Sequence, residues 1–97
     1  MTAGIELIAA ERQRQITAEG WTPEHDDEHD GAELTRAAIC YSDYAQLQIR
    51  NSVRWFDGNW PWDQKSWKPS PDPIRNLVKA GALIAAEIDR LNRKGTK

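Results

Sequence analysis

The segment from Asp72 to Leu91 constrains the fold most. Asp72 can accept from the exposed N–H groups of a helix start, and Pro73 suits the first helical position, where no backbone hydrogen bond is lost. Behind them Ile74, Leu77, Val78, Gly81, Ile84, Ile88 and Leu91 recur at helical spacing and are expected to form a buried stripe. Gly81 costs about 1 kcal/mol relative to alanine inside a helix. With Ala80, Ala82, Ala85 and Ala86 around it, close approach of another helix is the expected compensation, and such a small-residue face can also pair with a second copy.

Two more long helices read the same way, and no alternating strand pattern competes with them. The first spans residues 3 to 18, with Ile5, Ile8, Ala9 and Ile16 as a modest apolar stripe and Glu11-Arg12-Gln13-Arg14-Gln15 as its outer polar face. Gly20 terminates it, because glycine readily takes the left-handed conformation. The other spans residues 32 to 51, with Leu34, Ala37, Ala38, Tyr41, Ala45 and Gln48 on one side. Between these, Thr22-Pro23 starts a short helix running to about Asp30. The expected fold is a single all-α domain over residues 1–97, with three to four helices and oligomerisation as a supplement to a small core.

Ser52 to Pro71 is long for a connection. It contains Gly58, Pro61, Pro69, Pro71 and four of the five tryptophans, counting Trp55. Loops of this length are usually functional or disordered, and this much aromatic area argues for an ordered one. It is expected to fold onto the helices or onto a neighbouring subunit.

Composition narrows the function. With 39% hydrophobic and 29% charged residues and no membrane-length apolar run, the chain reads as soluble, without a signal peptide, and cytoplasmic by default. A net charge of −2 argues against DNA or RNA as partner. The basic residues Arg90, Arg93, Lys94 and Lys97 suit a helix C-terminus and a frayed end. The single cysteine, Cys40, lies in a helix and reads as a small core residue.

Chemistry concentrates in two places. His25 and His29 stand one helical turn apart among Asp26, Asp27, Glu28 and Asp30. This cluster has three readings. It is a solvated acidic helix start, stabilised by the helix dipole. Or it is a weak divalent metal site, with His25 and His29 supplying nitrogens and Asp26, or a distant Glu33 or Glu87, an oxygen. Or it supplies polar contacts to an organic ligand. The metalloprotease motif is absent, since Asp26 rather than glutamate follows the first histidine.

The second place is aromatic and cationic. Trp60-Pro61-Trp62 is a rigid turn, Trp67 adjoins Lys68, and Arg75 and Lys79 follow one turn apart on the last helix. The tryptophans read either as core and interface or as stacking platforms. Aromatic faces stack on planar bases, while cations and helix N-termini favour phosphate. No Walker loop, dinucleotide fingerprint, paired-cysteine motif or nucleophile elbow is present in the sequence.

The motifs Glu11-Arg12-Gln13-Arg14-Gln15, Glu19-Gly20-Trp21, His25-Asp26-Asp27-Glu28-His29, Trp60-Pro61-Trp62, Trp67-Lys68-Pro69 and Arg75 to Ile84 together resemble a family of short phage and prophage proteins. The resemblance covers nearly all of the chain except about residues 43 to 58. It implies a virus-encoded accessory protein acting in the bacterial host cytoplasm. Two phage roles then come into view. One is a non-catalytic oligomer that sequesters a nucleotide-derived immune signal, such as a cyclic oligonucleotide or a cyclic ADP-ribose derivative, and requires no cofactor. The other is a MazG-like metal-dependent nucleotide pyrophosphohydrolase. That family carries Glu-x-x-Glu on one helix and Glu-x-x-Asp on the next. Here Glu-x-x-Glu is missing and the Glu24-to-Asp27 spacing falls in the histidine cluster, leaving Glu33, Glu87 and Asp89 to be repurposed. An inhibitor that binds a host protein through exposed tryptophans is a third role.

The sequence reading favours the first role. It places a nucleotide-like ligand against Trp21, Trp60, Trp62 and Trp67, its phosphates near Lys68, Arg75 and Lys79, and its ribose or phosphate edges near His25 and His29.

Overall fold

A computed structural model describes residues 3–53 and 58–95. Trp55 of the tryptophan segment and Lys97 of the basic tail lie outside the described residues. Among these residues four α-helices follow one another: α1 (Gly4–Thr17), α2 (Pro23–Asp26), α3 (Glu33–Ile49) and α4 (Pro73–Arg93), with a 3₁₀ turn at Gln64–Ser66 before α4. Among the described residues there is no strand. None of these helices is long and apolar enough to cross a membrane.

Local chemistry sets the boundaries. Asp72 caps α4 by accepting from the Ile74 N–H at 3.0 Å, with Pro73 at the first position as expected. Ala3 has no capping side chain, and the Glu6 carboxylate instead reaches back to its N–H at 3.0 Å. The end of α3 is a Schellman closure. Asn51 takes a left-handed φ of 54°, and the Ser52 N–H bonds the Leu47 carbonyl at 2.9 Å.

Thr22 accepts from the His25 N–H and opens α2, but α2 stops at Asp26 rather than Asp30. The Glu28 and His29 N–H groups bond carbonyls three residues back, tightening the chain into a turn. Reversal into α3 then runs through Ala32, itself left-handed with φ 67°.

The core lies between α3 and α4. Leu34, Ala37, Ala38 and Tyr41 meet Ala80, Leu83 and Ala86, and Trp21, Trp60, Trp62 and Trp67 pack against them. The expected face of α3 is the buried one, and Cys40 is buried with it. Alanines let the two axes approach, so the volume that larger side chains would fill comes from the tryptophan loop.

Two expected faces are displaced. Of the anticipated α4 stripe only Val78 is buried, while Ile74, Leu77, Ile84 and Ile88 are 45–61% exposed. The buried side carries Asn76, Ala80, Ala82, Leu83, Ala86, Glu87 and Arg90. Helical spacing marks an apolar face without saying which neighbour covers it, and here α3 and α1 cover the alanines. The small-residue surface expected to pair with a second copy is therefore largely used within the chain. The close approach at Gly81 does occur, but with α1. A Cβ added there would come 2.6 Å from the Ile8 side chain.

On α1, the residues assigned to the outer face include its two buried ones, Glu11 and Gln15, while Ile5 and Ala9 of the expected stripe are exposed. The reason is partly electrostatic. The α1 surface facing the fold carries Glu11, which meets Arg75 of α4, beside Ile8, which packs on Gly81.

Candidate aromatic and cationic cleft

The loop before α4 is tied down by a self-contained turn. Trp60 Nε1 donates to the Asp63 carbonyl and to Ser66 Oγ, at 3.2 and 3.0 Å. The Ser66 hydroxyl donates to the same carbonyl, and Asp63 accepts from the Lys65 N–H. Asn76, fully buried on α4, fastens the far end. Its amide donates to the Ser70 carbonyl and to Gln48 Oε1 of α3, and its oxygen accepts from the Ser70 N–H, all at 2.8 Å.

So held, the tryptophans form a continuous aromatic array. Trp67 and Trp60 pack on Tyr41, with ring centroids 4.8 and 5.5 Å away, and Trp60 meets Trp62 edge-on at 5.3 Å. Trp62 approaches His29 at 5.0 Å and Trp21 at 6.5 Å, and Trp21 stacks parallel to His25. The rings belong to α2, the α2–α3 turn, α3, the loop and the α1–α2 connection, which no sequence-local pattern brings together.

Two adjoining pockets open along this array. One, of about 220 Å³, is lined by Trp21, His25, Asp26, His29, Leu34, Trp62 and Ser66. The other, of about 150 Å³, shares Trp21 and Ser66 and adds Glu11, Arg14, Gln15, Lys68 and Lys79 among its walls. Together they reach the lower end of the ~300–1,000 Å³ usual for small-molecule sites.

Residues that line the first pocket carry buried polar atoms without partners. Asp26 is 1% exposed. Its Oδ2 accepts from Arg12, whose other amine reaches the Trp21 carbonyl at 3.4 Å. Its Oδ1 has no hydrogen-bond donor, and neither Trp62 Nε1 nor His25 Nδ1 has a partner, although that histidine nitrogen lies 3.8 Å from Oδ1. Gln15 Oε1, in the wall of the second pocket, is likewise unpaired. Buried polar atoms left in this condition are costly, and a ligand edge is one way to satisfy them.

In the second pocket the charges are divided. Glu11 is held by Arg14 and Arg75, and Arg14 also meets Glu19. Burial works against the Glu11 charge, yet the hydrogen bonds and charges of Arg14 and Arg75 outweigh it and lower the carboxyl pKa below 4.5. Lys79 donates to the Lys68 carbonyl at 3.1 Å and lies over the Tyr41 ring. Burial, followed by repulsion from Arg75, pushes the Lys79 ammonium pKa down.

A depressed carboxylate pKa contributes stability that is present above the unfolded value and lost as pH falls through the folded one. Glu11→Gln is therefore expected to be less stable than the parent at neutral pH, with the gap closing below pH 4.5. Denaturant midpoints against pH would measure this, and a gap that stays constant into acid would refute it.

The structure thus gathers Trp21, His25, His29 and Trp62 into one pocket and Lys68 and Lys79 into its neighbour. Trp60 and Trp67 stand behind as a wall. Arg75 does not join them: it is committed to Glu11 and lines a separate groove with Leu7 and Ile74. Among the described residues no three His, Cys, Asp or Glu side chains are placed to hold a metal ion, so His25, His29 and Asp26 do not converge as a ligand set. Sequence reasoning missed Gln15, Ser66 and Asn76, three neutral polar residues: Gln15 and Ser66 bond to near neighbours that carry no motif, and Asn76 reaches Gln48 of α3. Compared with known proteins, the chain matches no family model, no curated protein and no solved structure.

Proposed function

We propose that this protein is a non-catalytic binding protein that sequesters a nucleotide-derived small molecule in this cleft. The observation that carries the reading is a pair of unpartnered buried atoms, Asp26 Oδ1 and Trp62 Nε1, on residues that line an aromatic pocket beside Lys79. A heterocyclic base presents neighbouring donors and acceptors on its edge and a flat face on either side. Trp21, His25, His29 and Trp62 supply faces, Asp26 an acceptor and Trp62 a donor. Lys79 and Lys68 face the adjoining space, where Arg14 and Arg75 already offset the two carboxylates, and favour phosphate.

Hydrolysis by a carboxylate-held magnesium calls for several acidic groups converging on one point. The gathered acids here are paired with arginines instead, which favours capture. With the resemblance to phage proteins, the role proposed is removal of a nucleotide immune signal in the bacterial cytoplasm.

The test is capture with chemical readout. Protein incubated with nucleoside triphosphates, cyclic oligonucleotides and cyclic ADP-ribose derivatives is freed of unbound ligand and heat-denatured, and the released molecule is identified by mass spectrometry. Recovery of intact ligand in stoichiometric amount is expected, whereas conversion to monophosphate and pyrophosphate would establish a hydrolase. Trp62→Phe keeps an aromatic ring and removes the N–H, so it should weaken binding about tenfold, the worth of one buried hydrogen bond, with some loss of thermal stability because Trp62 packs against the core. Lys79→Ala should also weaken binding. Arg75→Ala should weaken binding less than Lys79→Ala does and lower stability through Glu11, and the reverse order would refute the assignment.

A further inference from the structure

We infer that the bare aliphatic face of α4 is the contact surface of a symmetric homodimer, an inference independent of any ligand. Ile74, Leu77, Gly81, Ile84 and Ile88 follow one another at steps of three, four, three and four residues, the spacing of a helix-pairing seam. Ala85 lies within this arc, and no charged or polar residue interrupts it. Gly81, the one seam position without a side chain, is filled by Ile8 of the same chain.

The apolar surface continues on both flanks. Leu7 of α1 lines a groove with Ile74, and Ile39 of α3 lines another with Ile84. Ile5, Leu7, Ile39 and the four aliphatic seam residues are each between 36% and 74% exposed. Leaving Ile5 aside, the six side chains that the seam and the two grooves join expose roughly 500 Å² of apolar surface, in the upper part of the ~300–600 Å² of the largest patch on a typical monomer. Doubled by two-fold symmetry, this reaches the ~1,000 Å² that separates stable interfaces from incidental contacts.

The occupant is a second copy for three reasons. A seam with this spacing and no charge to be matched is self-complementary, as a two-fold contact requires. The protomer's own core is mostly alanine, so covering this face supplies burial that the single chain lacks. A membrane surface would instead call for lysines and arginines opposite the apolar face, and the opposite side of α4 is buried in the fold. Successive residues turn about 100° around a helix. Lys79 and Leu83, which line the ligand cleft, therefore point away from the seam that Leu77, Ile84 and Ile88 define. Pairing leaves both clefts open.

Sedimentation velocity on the full chain, across the micromolar to millimolar range, is the test. The parent protein is expected at twice the chain mass. Ile84→Lys combined with Ile88→Lys is expected at one chain mass with an unchanged helical spectrum. A parent that stays monomeric throughout, or a doubly substituted chain that stays dimeric, overturns the inference. The first result would assign the face to an unlike partner. Should the substituted chain unfold, Leu77→Cys, Ile84→Cys, Ala85→Cys and Ile88→Cys, each made alone in a chain whose native Cys40 is buried, decide. At least one must form an inter-chain disulfide under mild oxidation while a cysteine at exposed Glu24 forms none, and failure of all four overturns the proposal.

Discussion

Arg12→Leu is expected to destabilise the protein by about 3–5 kcal/mol, the usual result of stripping a buried charge of its partner. Arg12 and Asp26 are 12% and 1% exposed at their side chains, and Oδ1 of the same carboxylate already lacks a donor. Removing the guanidinium would leave the whole carboxylate uncompensated. It would also release the Trp21 carbonyl and loosen the parallel stack of Trp21 on His25.

The partner experiment separates the charge from the packing. Replacing both residues by leucine removes the charges together, and most of the lost stability should return. Ligand capture should not return with it, because Asp26 lines the pocket. Denaturant unfolding of the two single variants and the double variant measures the coupling. Additive losses would mean that the pair does not act as a unit.

The second large effect is expected at Asn76. Asn76→Ala deletes three hydrogen bonds within the fold and leaves the Ser70 backbone groups and Gln48 without those partners. At about 1 kcal/mol for each bond the cost is on the order of 3 kcal/mol. Gln48→Ala, which removes Asn76's α3 partner and a second bond to the Ser70 carbonyl, should cost less. Because Asn76 fastens the tryptophan loop to α4, its loss should also speed proteolysis between Trp62 and Ser70 and weaken ligand capture. Equal protease resistance in the variant and the parent would show that the aromatic packing alone holds the loop.

The elements were legible in the sequence because their signals are local. Asp72-Pro73, Thr22-Pro23 and the small-residue face of α3 each act through neighbours within a turn or two. The covering of each face was not legible. Nothing in the spacing of Glu11 and Gln15 reveals that Arg75 stands across from one, or that both line a cleft with Lys79. Likewise the α4 aliphatics form a better stripe than the alanines, yet the alanines are buried, because helices pack closest where side chains are smallest. The site was half legible. Aromatic and ionisable residues announce themselves by type, which is how Trp21, His25, His29 and Trp62 come to notice. Arg75 is the exception, since sequence proximity to Lys79 says nothing about which side of α1 it meets.

The position of α4 also bears on synthesis. α1, α2 and α3 all make their principal packing contacts with this helix. A nascent chain that has emerged only as far as Pro71 carries three helices with no common partner, and the alanine face of α3 has nothing to close upon. Stable structure is therefore expected only once residues 73 to 93 are free to fold, and a chain truncated before α4 is expected to remain unfolded rather than act as a partial binder.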